Sequence, residues 1–154
     1  MGNRAVITAS KSMDIKHSKD IGVYLHWNGG RDSVQGFLTY CKIKGYRSPE
    51  QDNYGWARLC QVIGNFFGGT NSIGCDTCDN LDCDNWDNGT YIIENWEIVS
   101  RKYFDDNEQM NYDLEEMLIA IDKEQPTKEQ LGEAIIKDYI KQNTKTQNNK
   151  DESE

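Results

Sequence analysis

The sequence predicts an α+β fold: a small antiparallel sheet with two packed helices and a metal-stapled loop, followed by a C-terminal acidic helical hairpin. Two kinds of hydrophobic periodicity lead to this prediction. Apolar and polar residues alternate from Ile21 to Trp27, as in a half-buried strand, whereas Tyr54 to Phe67 carries apolar residues at helical spacing. The run from Gly74 to Gly89 shows neither periodicity and is dense in Cys, Asp and Asn. This run has too few apolar residues to form a regular element, so it needs something other than a core to hold it.

Four segments are predicted to be strands from their composition and alternation. They are residues 4–8, 21–27, 90–93 and 96–103, of which the last two are expected to form a hairpin.

Two helices are predicted to pack on this sheet. The first is capped by Asp32 or Ser33, carries its apolar residues at helical spacing and stops at Gly45. The second, Tyr54 to Phe67, ends at the glycine pair that starts with Gly68.

The chain divides into three parts by composition. Residues 1–104 form the α+β domain, and 105–142 form the acidic hairpin, whose second helix begins at a capping box of Thr127 and Gln130. Residues 143–154 contain no apolar side chain and are predicted to be a disordered tail.

The charge of the chain is concentrated in its last third. The 154 residues have a net charge of −9, and residues 105–154 hold 14 of the 26 acidic side chains. No basic stripe is present to neutralise phosphates, which argues against direct nucleic-acid binding. No apolar run approaches the roughly 20 residues of a membrane span, and the N-terminus lacks a secretory signal, so we expect an intracellular protein that does not bind a membrane.

The strongest local motif is Cys75-x-x-Cys78-x-x-x-x-Cys83. Three thiolates within nine residues favour a structural zinc ion, for which His26 or Cys60 is a candidate fourth ligand. The alternative interpretation is three reduced thiols in a polar surface loop. Calcium fits less well, because the loop lacks the ligand spacing of an EF-hand. Aspartates of the loop are further candidate ligands: Asp76, Asp79, Asp82 and Asp84.

A second motif, residues 28–33, lies between a predicted strand and a predicted helix. It resembles the Ser-Gly-Gly-x-Asp-Ser loop of the PP-loop pyrophosphatases, with Asn28 in place of the first serine. That resemblance implies an anion-binding loop formed by Gly29, Gly30, Asp32 and Ser33. The alternative is a glycine turn followed by a helix cap.

Two features are candidate partner-binding surfaces. Carboxylates on the hairpin could imitate DNA phosphates and enter a basic groove on another protein; these are Glu108, Glu115, Glu116 and Asp122. Trp86 lies in the polar loop and is a candidate exposed anchor.

Three blocks carry a wider resemblance: residues 24–33, 54–59 and 66–69. They resemble small phage and prophage proteins of Gram-positive bacteria, which are similar to type II-A anti-CRISPR inhibitors, including a zinc-binding one. The resemblance implies a non-enzymatic protein in the cytoplasm of the bacterial host. It implies binding to the host's type II-A RNA-guided CRISPR nuclease and a block of target DNA loading. It transfers no catalytic residue and supports only the cysteine cluster as a site.

An alternative function remains open beside this one. The protein is then a nucleotide-binding phage protein, either signal-sequestering or PP-loop-like, that uses the loop of residues 28–33.

Overall fold

The computed structural model describes residues 3–104 and 111–152, and within them the protein has a mixed β-sheet and four α-helices. The predicted α+β class is confirmed. The strands are β1 (Ala5–Thr8), β2 (Ile21–Leu25), β3 (Ile73–Thr77), β4 (Thr90–Glu94) and β5 (Glu97–Lys102). The helices are α1 (Arg31–Ile43), α2 (Tyr54–Phe67), α3 (Leu114–Lys123) and α4 (Glu133–Glu152).

The sheet has five strands in the order β3-β2-β1-β4-β5, and it is mixed rather than antiparallel. The predicted hairpin of β4 and β5 is present, and β1 pairs antiparallel with β2. However, β1 and β4 run parallel. Their connection contains β2, α1, α2 and β3, which is long enough for the crossover that parallel pairing requires. Alternation along a strand does not encode the direction of its partner, so the sequence pattern could not reveal this.

The central strand β1 is buried over its whole length, and the sheet has apolar contacts on both faces. Ala5 and Ile7 face the main core, which contains residues of α1, α2 and α3. Val6 faces a second, smaller core. The buried members of the smaller core are Val6, Ile15, Cys78 and Cys83.

Both helices predicted for the first part of the chain are present. The bounds of α2 agree with the prediction, and Gly68 ends the helix in the left-handed conformation at φ 75°. Helix α1 begins earlier than predicted, with Gly30 rather than Asp32 or Ser33 as its N-cap.

The C-terminal helices are not an appended hairpin, because α3 is part of the main core. Met117, Leu118 and Ile121 are buried there against α1. A Cβ at Gly36 of α1 would lie 2.4 Å from Cγ of Met117, so the two helices approach closely at this glycine. The apolar stripe of α3 needs a surface to cover it, and α1 supplies that surface.

Helix α4 differs from the prediction at both ends. It begins at Glu133, because Thr127–Glu129 forms a separate 3-10 turn instead of a capping box. It continues to Glu152, through most of the run predicted to be a disordered tail. That run contains no Pro or Gly, which are the residues that oppose a helix most strongly. None of the helices in the described ranges is long and apolar enough to cross a membrane.

Asp122 is a buried structural residue, which corrects its assignment to a partner-binding surface. Its side chain is 5% exposed. Tyr40 Oη donates to Oδ1 at 2.6 Å, and the backbone amides of Leu131 and Gly132 donate at 2.7 and 2.9 Å. Burial, together with this carboxylate, raises the pKa of Tyr40. Asp122 follows Leu118 by four residues, so it shares the inward face of α3.

We predict that Asp122→Ala lowers the free energy of unfolding by about 3 kcal/mol, because the buried Tyr40 hydroxyl and two partly buried amides lose a charged acceptor. Asp138→Ala, at an exposed position of α4, should change it by less than about 0.5 kcal/mol. Urea unfolding followed by circular dichroism measures both values. Equal effects of the two substitutions would contradict the structural role of Asp122.

Candidate functional site

The predicted cysteine cluster is divided between the two faces of the sheet. Residues 73–77 form the edge strand β3, contrary to the expectation of an irregular loop, and Cys75 pairs in register with Val23 of β2. Paired residues point to the same face, and Val23 faces the main core. Cys75 accordingly lies near Cys60 of α2, whose pKa is raised to about 11 by burial first and then by the neighbouring thiol of Cys75.

Cys78 and Cys83 lie on the opposite face, in the smaller core with Val6. Cys78 Sγ donates to Thr8 Oγ1 at 3.3 Å and is 3.3 Å from the Cβ position of Gly22. Cys83 Sγ donates to the carbonyl oxygen of Cys78 at 3.5 Å. The close approach of the two thiols lowers the pKa of Cys83 and, together with burial, raises that of Cys78.

His26 lies away from this thiol pair. Its Nδ1 is 2.9 Å from the hydroxyl of Tyr24, and its ring stacks edge-on against Trp27. It is four residues beyond Gly22, which corresponds to roughly 13 Å along a strand. Since Cys78 lies over Gly22, His26 does not approach its thiol.

The residues proposed to hold zinc therefore do not converge on one point in this structure. Among the described residues no group of three or more His, Cys, Asp or Glu side chains is arranged to hold a metal ion. The cysteines of the motif separate because Cys75 is on a strand, whereas Cys78 begins a 3-10 turn after the strand ends. A structural zinc ion stays a prediction without support from this geometry.

The segment that follows, residues 81–89, is a loop whose backbone is organised by the side chain of Asn85. This residue is fully buried. Its Nδ2 donates to the carbonyl oxygens of Asp82 and Gly89, both at 3.0 Å. Its Oδ1 accepts from the amides of Asp87 and Gly89 at 3.1 and 3.0 Å. Four hydrogen bonds from one buried amide fix the backbone of the loop.

The acidic side chains around this loop are paired with cations of the protein itself. Arg4 Nε is 2.8 Å from Asp87, and its Nη1 is 3.5 Å from Asp82. The remaining pairs are Lys16 with Asp84 at 3.0 Å, and Lys19 with Asp79. These contacts reduce the charge that the loop presents to a partner, so its carboxylates contribute mainly to holding the loop in place.

Trp86 is the exposed apolar side chain that this loop presents. It is 91% exposed, although tryptophan is a residue that folded proteins usually bury to a large extent. Its backbone is left-handed at φ 62°, a conformation that is uncommon for bulky residues and is retained only where the surroundings enforce it. Here the hydrogen bonds of Asn85 on its N-terminal side supply that constraint. The structure therefore bears out the prediction that Trp86 is exposed.

The Asn28–Ser33 loop is occupied by contacts within the protein. Asn28 is left-handed at φ 57°, and its Nδ2 donates to Ser33 Oγ at 3.2 Å. The amide of Gly29 donates to the carbonyl of Asn3 at 2.9 Å, and its own carbonyl accepts from the Tyr91 hydroxyl at 2.8 Å. A Cβ at Gly29 would lie 2.5 Å from the Asn3 oxygen, so this glycine is required by close packing.

Asp32 joins this loop to the segment before α3. It is 7% exposed and accepts hydrogen bonds from the amides of Asn111 and Tyr112 at 2.7 and 3.0 Å. It also accepts from the amide of Ser33 at 2.7 Å. A fixed carboxylate at the start of α1 opposes a bound anion, so the geometry favours the interpretation as a turn and helix start.

The acidic surface of α3 is smaller than the sequence indicated. Asp113 caps the helix by accepting from the amide of Glu116 at 2.8 Å. Glu116 is exposed and Glu115 half-buried, so both are accessible to a partner. Glu108 lies outside the described residues.

A groove of about 540 Å³ lies between α1, α4 and the β4–β5 hairpin. Arg31, Gln35 and Lys42 of α1 contribute polar side chains to it. Lys42 pairs with Glu97 at 2.9 Å, whereas Arg31 has no carboxylate partner within the part of the chain that the structure describes. The groove is thus a small region of positive charge on an acidic protein.

Comparisons with known proteins identify no relative of this chain. No family model, no curated protein and no solved structure matches it.

Proposed function

We propose that the protein acts by binding another protein, with Trp86 as the anchor of the interface. The observation that carries this proposal is the 91% exposure of a tryptophan on a loop fixed by the buried Asn85. Tryptophan is enriched among the residues that dominate binding energy, and a preorganised loop loses little conformational entropy on binding.

The chemistry of the loop indicates what this anchor contacts. Burial of about 200 Å² of indole surface is worth about 5 kcal/mol before the costs of association. The nearby carboxylates of Asp82, Asp84 and Asp87 are already paired with Arg4 and Lys16. The partner therefore offers an apolar pocket for the indole, and the net charge of −9 favours a partner with a basic surface through long-range attraction.

The sequence resemblance selects the partner to test first. Type II-A RNA-guided nucleases hold their nucleic acids in a positively charged channel, which suits an acidic protein ligand. We therefore propose a non-enzymatic anti-CRISPR protein that binds the guide-loaded nuclease in the host cytoplasm and blocks loading of target DNA.

Trp86→Ala should weaken binding to the guide-loaded nuclease by 30-fold or more, about 2 kcal/mol, because the anchor is lost while the loop remains. Biolayer interferometry measures the Kd, and a DNA cleavage assay measures inhibition. Tyr54→Ala is the matched control, since it removes another exposed aromatic side chain, at the start of α2. We expect the control to bind like the original protein and both variants to melt within about 2 °C of it.

The two parts of this proposal fail separately. If the original protein binds the nuclease and Trp86→Ala binds it with the same Kd, Trp86 is not the anchor of the interface. Absence of any binding to the nuclease would overturn the choice of partner.

The acidic face of α3 is tested by reversing its charge. Glu115→Lys with Glu116→Lys should reduce the association rate about threefold to tenfold at low salt, with a smaller effect at 0.5 M salt, because charge steering is screened. Stopped-flow binding at both salt concentrations measures this. If the variant and the original protein associate with the nuclease at the same rate at both salt concentrations, the carboxylates of α3 have no part in the mechanism.

A second candidate function rests on the groove that contains Arg31. A guanidinium without a carboxylate partner among the described residues, in a cavity of about 540 Å³, suits a small phosphate-bearing molecule, such as a nucleotide. ATP at 1 mM should then raise the melting temperature, and Arg31→Ala should abolish the shift, whereas Lys128→Ala, at an exposed position outside the groove, should keep it. If ATP leaves the melting temperature unchanged, this candidate is excluded for ATP.

A further inference from the structure

The edge strand β3 and helix α2 meet at two cysteines, Cys60 and Cys75. The register of β3 places Cys75 opposite Val23, on the face of the sheet that borders the main core, to which α2 contributes. Cys60 packs at the border of the same core, near enough to Cys75 for the two thiols to affect each other electrostatically. Two thiols on different elements therefore lie near each other on the same side of the sheet.

The accessibility of this pair distinguishes it from the other three thiols. Cys75 is exposed and Cys60 is partly exposed. Cys41, Cys78 and Cys83 are all buried. A small oxidant in solution can therefore reach Cys75, whereas the pair on the opposite face of the sheet is shielded by the smaller core.

We propose that Cys60 and Cys75 are a redox-active dithiol, which a peroxide converts to a disulfide that joins α2 to β3. This assignment is independent of the proposed binding through Trp86.

The reaction balances with one peroxide. The sulfur of Cys75 attacks one oxygen of hydrogen peroxide, the O–O bond breaks, and one water leaves, so that Cys75 becomes a sulfenic acid. The sulfur of Cys60 then attacks the sulfur of Cys75, and the S–O bond breaks with loss of a second water. The two thiols lose two electrons and two hydrogens in total, and both oxygens of the peroxide end as water. A dithiol reductant reverses the change by thiol–disulfide exchange.

The disulfide has a physical consequence for the fold. It closes the segment from Cys60 to Cys75 into a loop and attaches an edge strand, which has a sheet partner on one side only, to a helix. Restricting the unfolded chain in this way stabilises the native state, and we expect the melting temperature to rise by about 5 °C.

The arrangement also accounts for the cysteines without a shared metal ion. The spacing of Cys75, Cys78 and Cys83 suggested one zinc site, but the sheet separates Cys75 from the other two. A zinc site that used all three would require β3 to leave its register with β2. The disulfide requires no such change.

The proposal is tested on the full chain with a fivefold excess of hydrogen peroxide. A thiol count in denaturant should fall from five to three and return to five with dithiothreitol. Trypsin cannot locate the bond, because no Lys or Arg lies between Arg58 and Arg101. Chymotrypsin, which cuts after Phe67, combined with endoproteinase Asp-N, which cuts before Asp76 and Asp79, separates the relevant cysteines. Mass spectrometry should then show the peptides of Cys60 and Cys75 linked, with the loss of two hydrogens.

Single substitutions distinguish the thiol that peroxide oxidises first from the thiol that then forms the disulfide. In Cys60→Ser the reaction should stop at a sulfenic acid on Cys75, which dimedone traps. Cys75→Ser should lose no thiols within the time that oxidises the original protein. Cys83→Ser is the matched control and should still form the Cys60–Cys75 bond. If Cys60→Ser does not fold, as judged by circular dichroism, Cys60→Ala takes its place.

Three outcomes would overturn the proposal. The first is a thiol count that stays at five under peroxide. The second is a bond between Cys78 and Cys83 that forms faster than the one between Cys60 and Cys75. The third is equimolar zinc in the purified protein that Cys75→Ser abolishes, since Cys75 would then be a metal ligand.

Discussion

The pairing register of β3 with β2 is the constraint on which the functional surfaces of this protein depend. Because Val23 opposite Cys75 faces the main core, Cys75 must lie on the side of α2. The chain then turns at the end of β3, so that Cys78 enters the smaller core on the other side. A shift of β3 by one residue would move Ile73, which packs against the main core, and Cys75 to the opposite face of the sheet.

The turn after β3 also determines where the acidic loop begins, and hence where Trp86 is presented. Cys83 is buried beneath the loop, Asn85 organises its backbone, and Arg4 of the adjoining N-terminal segment pairs with two of its aspartates. Charge in this region therefore contributes to a fixed shape, and the exposed indole is what remains for a partner. The charged side chains of the loop thus stabilise its conformation, whereas its exposed tryptophan is available for binding.

The sequence allowed some features to be predicted because their cause is local. The bounds of α2 follow from helical spacing and from Gly68, and the exposure of Trp86 follows from its polar surroundings. Other features depend on distant parts of the chain. The parallel pairing of β1 with β4 and the burial of Asp122 depend on which elements pack together. The separation of Cys75 from Cys78 depends on where a strand ends, which composition indicates poorly.

The most direct test of this account is the rate at which each cysteine is alkylated in the native protein. N-ethylmaleimide, followed by mass spectrometry over time, reports each thiol separately. Because Cys75 is exposed, Cys60 partly exposed and the other two buried, Cys75 should react first and Cys60 next, while Cys78 and Cys83 should react only as fast as the protein unfolds. The contradicting result is joint protection of Cys75, Cys78 and Cys83 that a chelator removes from all three at once, since this would show that they bind a single metal ion.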